Sequence, residues 1–149
     1  MTDVELARAL ERGEMKDFRH ASHLHVAWVY LVESPSVQQA ANKMRHTLRR
    51  FAVAAGKPEK YHETMTLFWM YLLSHAYEAS RGERLEDIMH ANPQLLGKNF
   101  PLTYYSAEGL FSNEARISWV EPDLKPFLID AIATCSPSPP RDAPNRSLS

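Results

Sequence analysis

The sequence predicts an all-α protein, an irregular bundle of five or six helices followed by a disordered C-terminal tail. Three observations carry this expectation. Apolar side chains recur at three- and four-residue spacing along four long segments. Breakers built from Ser, Pro and Gly fall between those segments. The last 15 residues, CSPSPPRDAPNRSLS, hold four prolines and four serines and almost no apolar bulk, too little to offset the entropy of ordering them. With 149 residues, 44% of them hydrophobic, the chain is long enough for one core and short for two. The expected organisation is one helical domain over 1–134 and a Pro/Ser-rich tail over 135–149.

Thr2 or Asp3 can cap a first helix reaching about Met15, with Gly13 near its end. Asp17 then caps a second helix through Glu33, whose His20, Leu24, Ala27, Trp28 and Leu31 share one face. Val26, Val29 and Val32 make its other sides apolar too, so it belongs inside the bundle. Ser34-Pro35-Ser36 breaks the chain and caps a third helix with Ala40, Met44, Leu48 and Phe51 inward and Lys43, Arg45, Arg49 and Arg50 on its wet side. Gly56 stops it and Pro58 restarts the chain. A fourth helix, from about Glu59 to Ala79, carries Tyr61, Met65, Phe68, Trp69 and Leu72 on one stripe and should pack directly on the second. A shorter helix, GERLEDIMHAN, follows. The stretch QLLGKNFPLTYYS reads as irregular, Ser106 caps AEGLFSNEARISWV as a further helix closed by Pro122, and LKPFLIDAIA adds a last turn or two.

Composition narrows the function. Seventeen Lys and Arg against 18 Asp and Glu give a formal net charge of −1, so neither nucleic acid nor an anionic membrane is an expected partner. The lone cysteine, Cys135, excludes an intrachain disulfide and a Cys-rich zinc site. The charged N-terminus has no signal-peptide core, and no apolar run approaches a membrane span. The expectation is a soluble, cytoplasmic protein that takes a small-molecule ligand, with a homo-oligomer left open.

The candidate chemistry lies in FRHASHLHVAWVYL, residues 18–31, where three histidines enter an otherwise apolar helix. His20 and His23 leave neighbouring positions on one side of that helix, and His25 points away. His62, at the border of the fourth helix's apolar face, would join His20 and His23 if the two helices ran parallel or crossed steeply. With Glu63 they would form a nitrogen and oxygen ligand set for a divalent transition metal, Zn, Fe, Mn, Ni or Cu. The H-E-x-x-H hydrolase pattern is absent, because Thr64, Met65 and Thr66 follow Glu63. Without a metal, His20, His62, Glu63 and Tyr105 could serve as acid and base groups, with Trp28, Tyr61, Thr66, Trp69 and Arg116 around a small substrate. Against both stands a plain interaction module, in which the histidines satisfy core polar groups. His25, His46, His75 and His90 read as ordinary surface or boundary residues, Asp123 as a turn or cap residue, and Arg116 as a partner of Glu114 or Glu121.

The pattern F-x-H-x-x-H-L-x-x-A-W over Phe18 to Trp28, with YHETMT at 61–66, YYS at 104–106, S-N-E-A-R and W-V-E-P-D-L, resembles a group of small bacterial hypothetical proteins carrying the same blocks in order. The resemblance spans about residues 18–127 and implies no particular substrate or cofactor. It singles out His20, His23, Tyr61, His62, Glu63, Thr66, Tyr105, Ser106, Arg116 and Asp123. Ser22 stands where the group has an acidic residue before its second histidine.

Overall fold

The computed structural model describes residues 2–15, 19–80 and 83–126. Among them every regular element is helical, so the all-α expectation holds. Seven α-helices appear, α1 (Asp3–Glu11), α2 (His20–Glu33), α3 (Val37–Ala54), α4 (Glu63–Ala79), α5 (Leu85–Ala91), α6 (Ala107–Leu110) and α7 (Asn113–Ile117), with 3-10 turns at Pro58–Lys60, Pro93–Leu96 and Phe100–Thr103. The count exceeds six because the expected helix after Ser106 is two. Ser112 leaves the helical conformation and its Oγ accepts from Ala115 N, capping α7 afresh. The tail at 135–149, Cys135 and most of LKPFLIDAIA lie outside the described residues, as does Asp17, the expected cap of α2.

Local chemistry sets the helix limits. Thr2 and Glu5 form a reciprocal capping box on α1. Ser36 accepts from Gln39 N to start α3, and Gly13 and Gly56, both at φ 75°, turn the chain after α1 and α3. The fourth helix starts later than the sequence suggests. Pro58–Lys60 closes as a 3-10 turn, Tyr61 is extended, and His62 is the N-cap.

The core is continuous through α1, α2, α3, α4, α5 and the segments after it. Helix α2 packs on α1, α3 and α4, and is apolar nearly all round because it is enclosed by all three. Two ring contacts fix how α2 lies on α4. His20 stacks against Trp69 at 4.6 Å and Trp28 meets Tyr77 edge-on at 5.4 Å. Eight residues forward on one helix correspond to eight forward on the other, so α2 and α4 run parallel, with α3 as the return between them. Phe68 anchors the far side, touching Trp69, Phe100, Tyr104 and Tyr105.

Candidate metal centre

The parallel arrangement needed to join His20, His23 and His62 is present, but the register is wrong. His20 faces Trp69, seven residues beyond His62, or about 10 Å along the helix at 1.5 Å per residue. Among the described residues His20, His23, His62 and Glu63 therefore do not gather around a common point. Each is engaged elsewhere.

His62 uses both ring nitrogens. Nδ1 accepts from Met65 N at 3.1 Å, which makes Nε2 the protonated nitrogen, and Nε2 donates to the Leu110 carbonyl at 2.7 Å. Its ring cannot also ligate a metal without giving up a helix cap. Burial holds its pKa below the ordinary imidazole value, against the pull of the Leu110 carbonyl. His20 donates Nε2–H to the Leu95 carbonyl at 2.9 Å, and burial depresses its pKa in the same way. His23 is driven down to about 4, first by burial and then by nearby His20.

Glu63 is buried, yet its carboxylate is fully occupied. Oε2 accepts from Arg45 Nε at 2.7 Å, Oε1 accepts from the Tyr61 hydroxyl at 2.6 Å, and Arg49 stands 3.6 Å away. The Arg49 guanidinium lies over the Tyr61 ring at 4.9 Å. Two of the arginines expected on the wet face of α3 thus turn toward α4, because a carboxylate with only 8% of its side chain exposed needs them. The Tyr61 phenol is pushed up by burial and by Glu63, so it is a poor base at neutral pH.

The remaining expected substrate contacts are also internal. Thr66 Oγ1 donates to the His62 carbonyl at 2.8 Å, and Trp28 and Trp69 pack as core rings. Tyr105 is fully buried, donates to the Val120 carbonyl at 2.6 Å and has its pKa raised by burial. Arg116 pairs with neither Glu114 nor Glu121 and donates to Asn113 Oδ1 at 3.0 Å. Asp123 accepts from the Ser106 backbone and hydroxyl at 2.7 and 2.5 Å, which holds its carboxyl below the usual range. It braces the α6 cap, as a turn residue would. Thr64 Oγ1 donates to the Ser118 carbonyl and accepts from Val120 N, so the YHET, YYS and EPDL blocks are sewn to one another.

One group of metal-ligand type does converge. Ligand atoms of Asp3, His25 and Glu86 all lie within 4.8 Å of one another. The capping box at Thr2 places Asp3 in the first turn of α1, His25 projects from the flank of α2 opposite His23, and Glu86 rises from the first turn of α5. Asp3 Oδ1 is 3.0 Å from His25 Nδ1. That nitrogen is buried yet has no aligned hydrogen bond, so its in-plane direction does not run at the Asp3 oxygen. Octahedral coordination at bond lengths of about 2.1 Å puts adjacent ligand atoms about 3.0 Å apart. Glu86 is half exposed, with Arg84 at 3.7 Å, and leaves one side of the triad open to solvent.

His25 is a half-buried boundary residue, as expected, and it stands beside Asp3 and Glu86. No local pattern announces this triad, since its members stand 22 and 61 positions apart and meet only once α1, α2 and α5 are assembled. Compared with protein-family models, curated proteins and solved structures, the chain matches none. The sequence and geometry therefore define a small helical protein with a His/Asp/Glu triad, and no helix among the described residues is long and apolar enough to cross a membrane.

Proposed function

We propose that the protein binds a divalent transition metal through Asp3, His25 and Glu86 and uses the coordination positions left open to take a small molecule. The observation that supports this is the convergence of three ligand atoms from three helices, with His25 Nδ1 buried beside Asp3 and unaligned with it. One imidazole nitrogen and two carboxylates balance a divalent ion's charge and suit Zn, Mn, Fe, Ni or Cu. Three protein ligands leave at least one position for water or substrate, the arrangement of catalytic rather than structural metal sites. Acid and base chemistry without a metal has weaker support, because His62, Glu63 and Tyr105 are committed to internal hydrogen bonds.

The test is elemental analysis of tag-free protein, as isolated and after anaerobic reconstitution, beside folded His25→Ala and His62→Ala variants. Near-stoichiometric metal retained by the parent and by His62→Ala but lost from His25→Ala is the expected result. Protein that retains no metal after reconstitution ends this reading and leaves Asp3 and His25 as a packing contact between α1 and α2.

A further inference from the structure

A polar concavity lies against another flank of α2, formed by Arg8 and Glu11 of α1, Tyr30 of α2, and Lys43, His46, Thr47 and Arg50 of α3. Its volume is about 370 Å³, the size of a small metabolite rather than a polymer groove. The α3 residues are spaced i, i+3, i+4 and i+7, which aligns them on one face of the helix.

The wall and the rim differ in how their hydrogen-bonding capacity is used. At the wall, Thr47 donates to the Tyr30 hydroxyl at 2.9 Å, and that hydroxyl donates to Glu11 Oε2 at 2.5 Å. Glu11 also accepts from Arg8 at 2.8 Å, and Arg8 reaches on to Glu33. This chain is buried at Tyr30 and Thr47 and closed on itself, so it supplies a rigid floor rather than free donors. At the rim the cations are in excess. Arg50 and His46 have no ion-pair partner among the described residues, and Lys43 touches Glu33 only at 3.9 Å.

We infer that this cleft binds a small anion of the phosphate class, with Lys43 and Arg50 as its charge partners and His46 as a further donor. Size and sign together select the ligand. Three fixed cations against one carboxylate make the lining net positive, while Glu11 within it and Glu33 beside it repel a continuous polyanion or an anionic bilayer. The site shares no residue with the Asp3, His25 and Glu86 triad and does not rest on it.

Inorganic pyrophosphate is the probe, titrated calorimetrically into metal-stripped full-length His25→Ala protein so that chelation of a metal cannot contribute. The His46 ring protons, followed by NMR, report whether the ligand enters the cleft. Saturable binding with a shift at His46 is expected. The double variant Lys43→Gln/Arg50→Gln, exposed at both positions, should weaken it by about tenfold or more, the loss of about 1.4 kcal/mol. Lys60→Gln, an exposed cation elsewhere, should change it less than about twofold. Absence of saturable binding, binding unaffected by the double variant, or preference for phosphatidylserine vesicles over free pyrophosphate would each overturn the inference.

Discussion

Two histidines of this fold stand in contrasting surroundings. His62 opens α4 with both ring nitrogens hydrogen-bonded, one to the helix it caps and one to Leu110 across the chain. His25 sits on the flank of α2 with a buried Nδ1 that no hydrogen bond aligns with, beside two carboxylates from other helices. The first spends both nitrogens on holding the fold together, while the second has its Nδ1 3.0 Å from Asp3 without an aligned hydrogen bond. His25 belongs to the run His20, His23 and His25, whereas His62 stands apart from it at the border of an apolar face, and it is His62 whose ring is engaged on both sides.

The sharpest way to break this contrast is to remove Glu63. Glu63→Ala leaves Arg45 and the Tyr61 hydroxyl without their acceptor and should cost about 3 kcal/mol in urea unfolding, with metal uptake per folded molecule unchanged. A variant as stable as the parent would mean that the buried carboxylate is not structural, and would return it to the list of chemical groups. Next, His62→Ala removes a cap and the donor to Leu110 and should cost about 2 kcal/mol. His62→Asn, which preserves a capping acceptor, should recover roughly half of that. Loss of metal from folded His62→Ala would collapse the distinction altogether.

Protonation supplies a third probe. His20, His23 and His62 all have folded pKa values below the ordinary 6.5, His23 at about 4. A depressed pKa means that the unfolded chain binds more protons, so the contribution to stability is complete above pH 6.5. It falls as the pH drops from there toward 4, by at most about 1.4 kcal/mol per pH unit for each histidine. His23→Leu should flatten the lower part of that slope; an unaltered slope between pH 6 and 4 would assign it to other groups. The smallest effect is expected at Asp123→Ala, which loses the brace on Ser106 and should cost about 1 kcal/mol or less in thermal unfolding.

Much of the fold was legible because its determinants are local. Thr2, Ser36 and Ser106 cap where short hydroxyl side chains precede periodic apolar runs, and Gly56 ends α3 at a positive φ. The start of α4 is not legible, because histidine is an unusual cap and Pro58–Lys60 imitates a first helical turn. The relative placement of the candidate residues was not legible. That α2 and α4 touch follows from their apolar faces, but the offset between them is decided by how Trp28, Trp69 and Tyr77 interlock, which no periodicity records. The turn of Arg45 toward Glu63 is likewise a response to a buried charge that exists only after α3 and α4 have packed.

The parallel register of α2 and α4 also carries an engineering instruction. The position facing His20 belongs to Trp69, so a designer wishing to install an interior copper or zinc site would leave His62 alone and replace the indole. Trp69→His sets an imidazole opposite His20, one turn from His23 on the same helix, while vacating room for an ion, at a cost of about 3 kcal/mol or more in lost ring packing. The spacing that keeps the natural histidines apart thereby names the address at which an added one would find them.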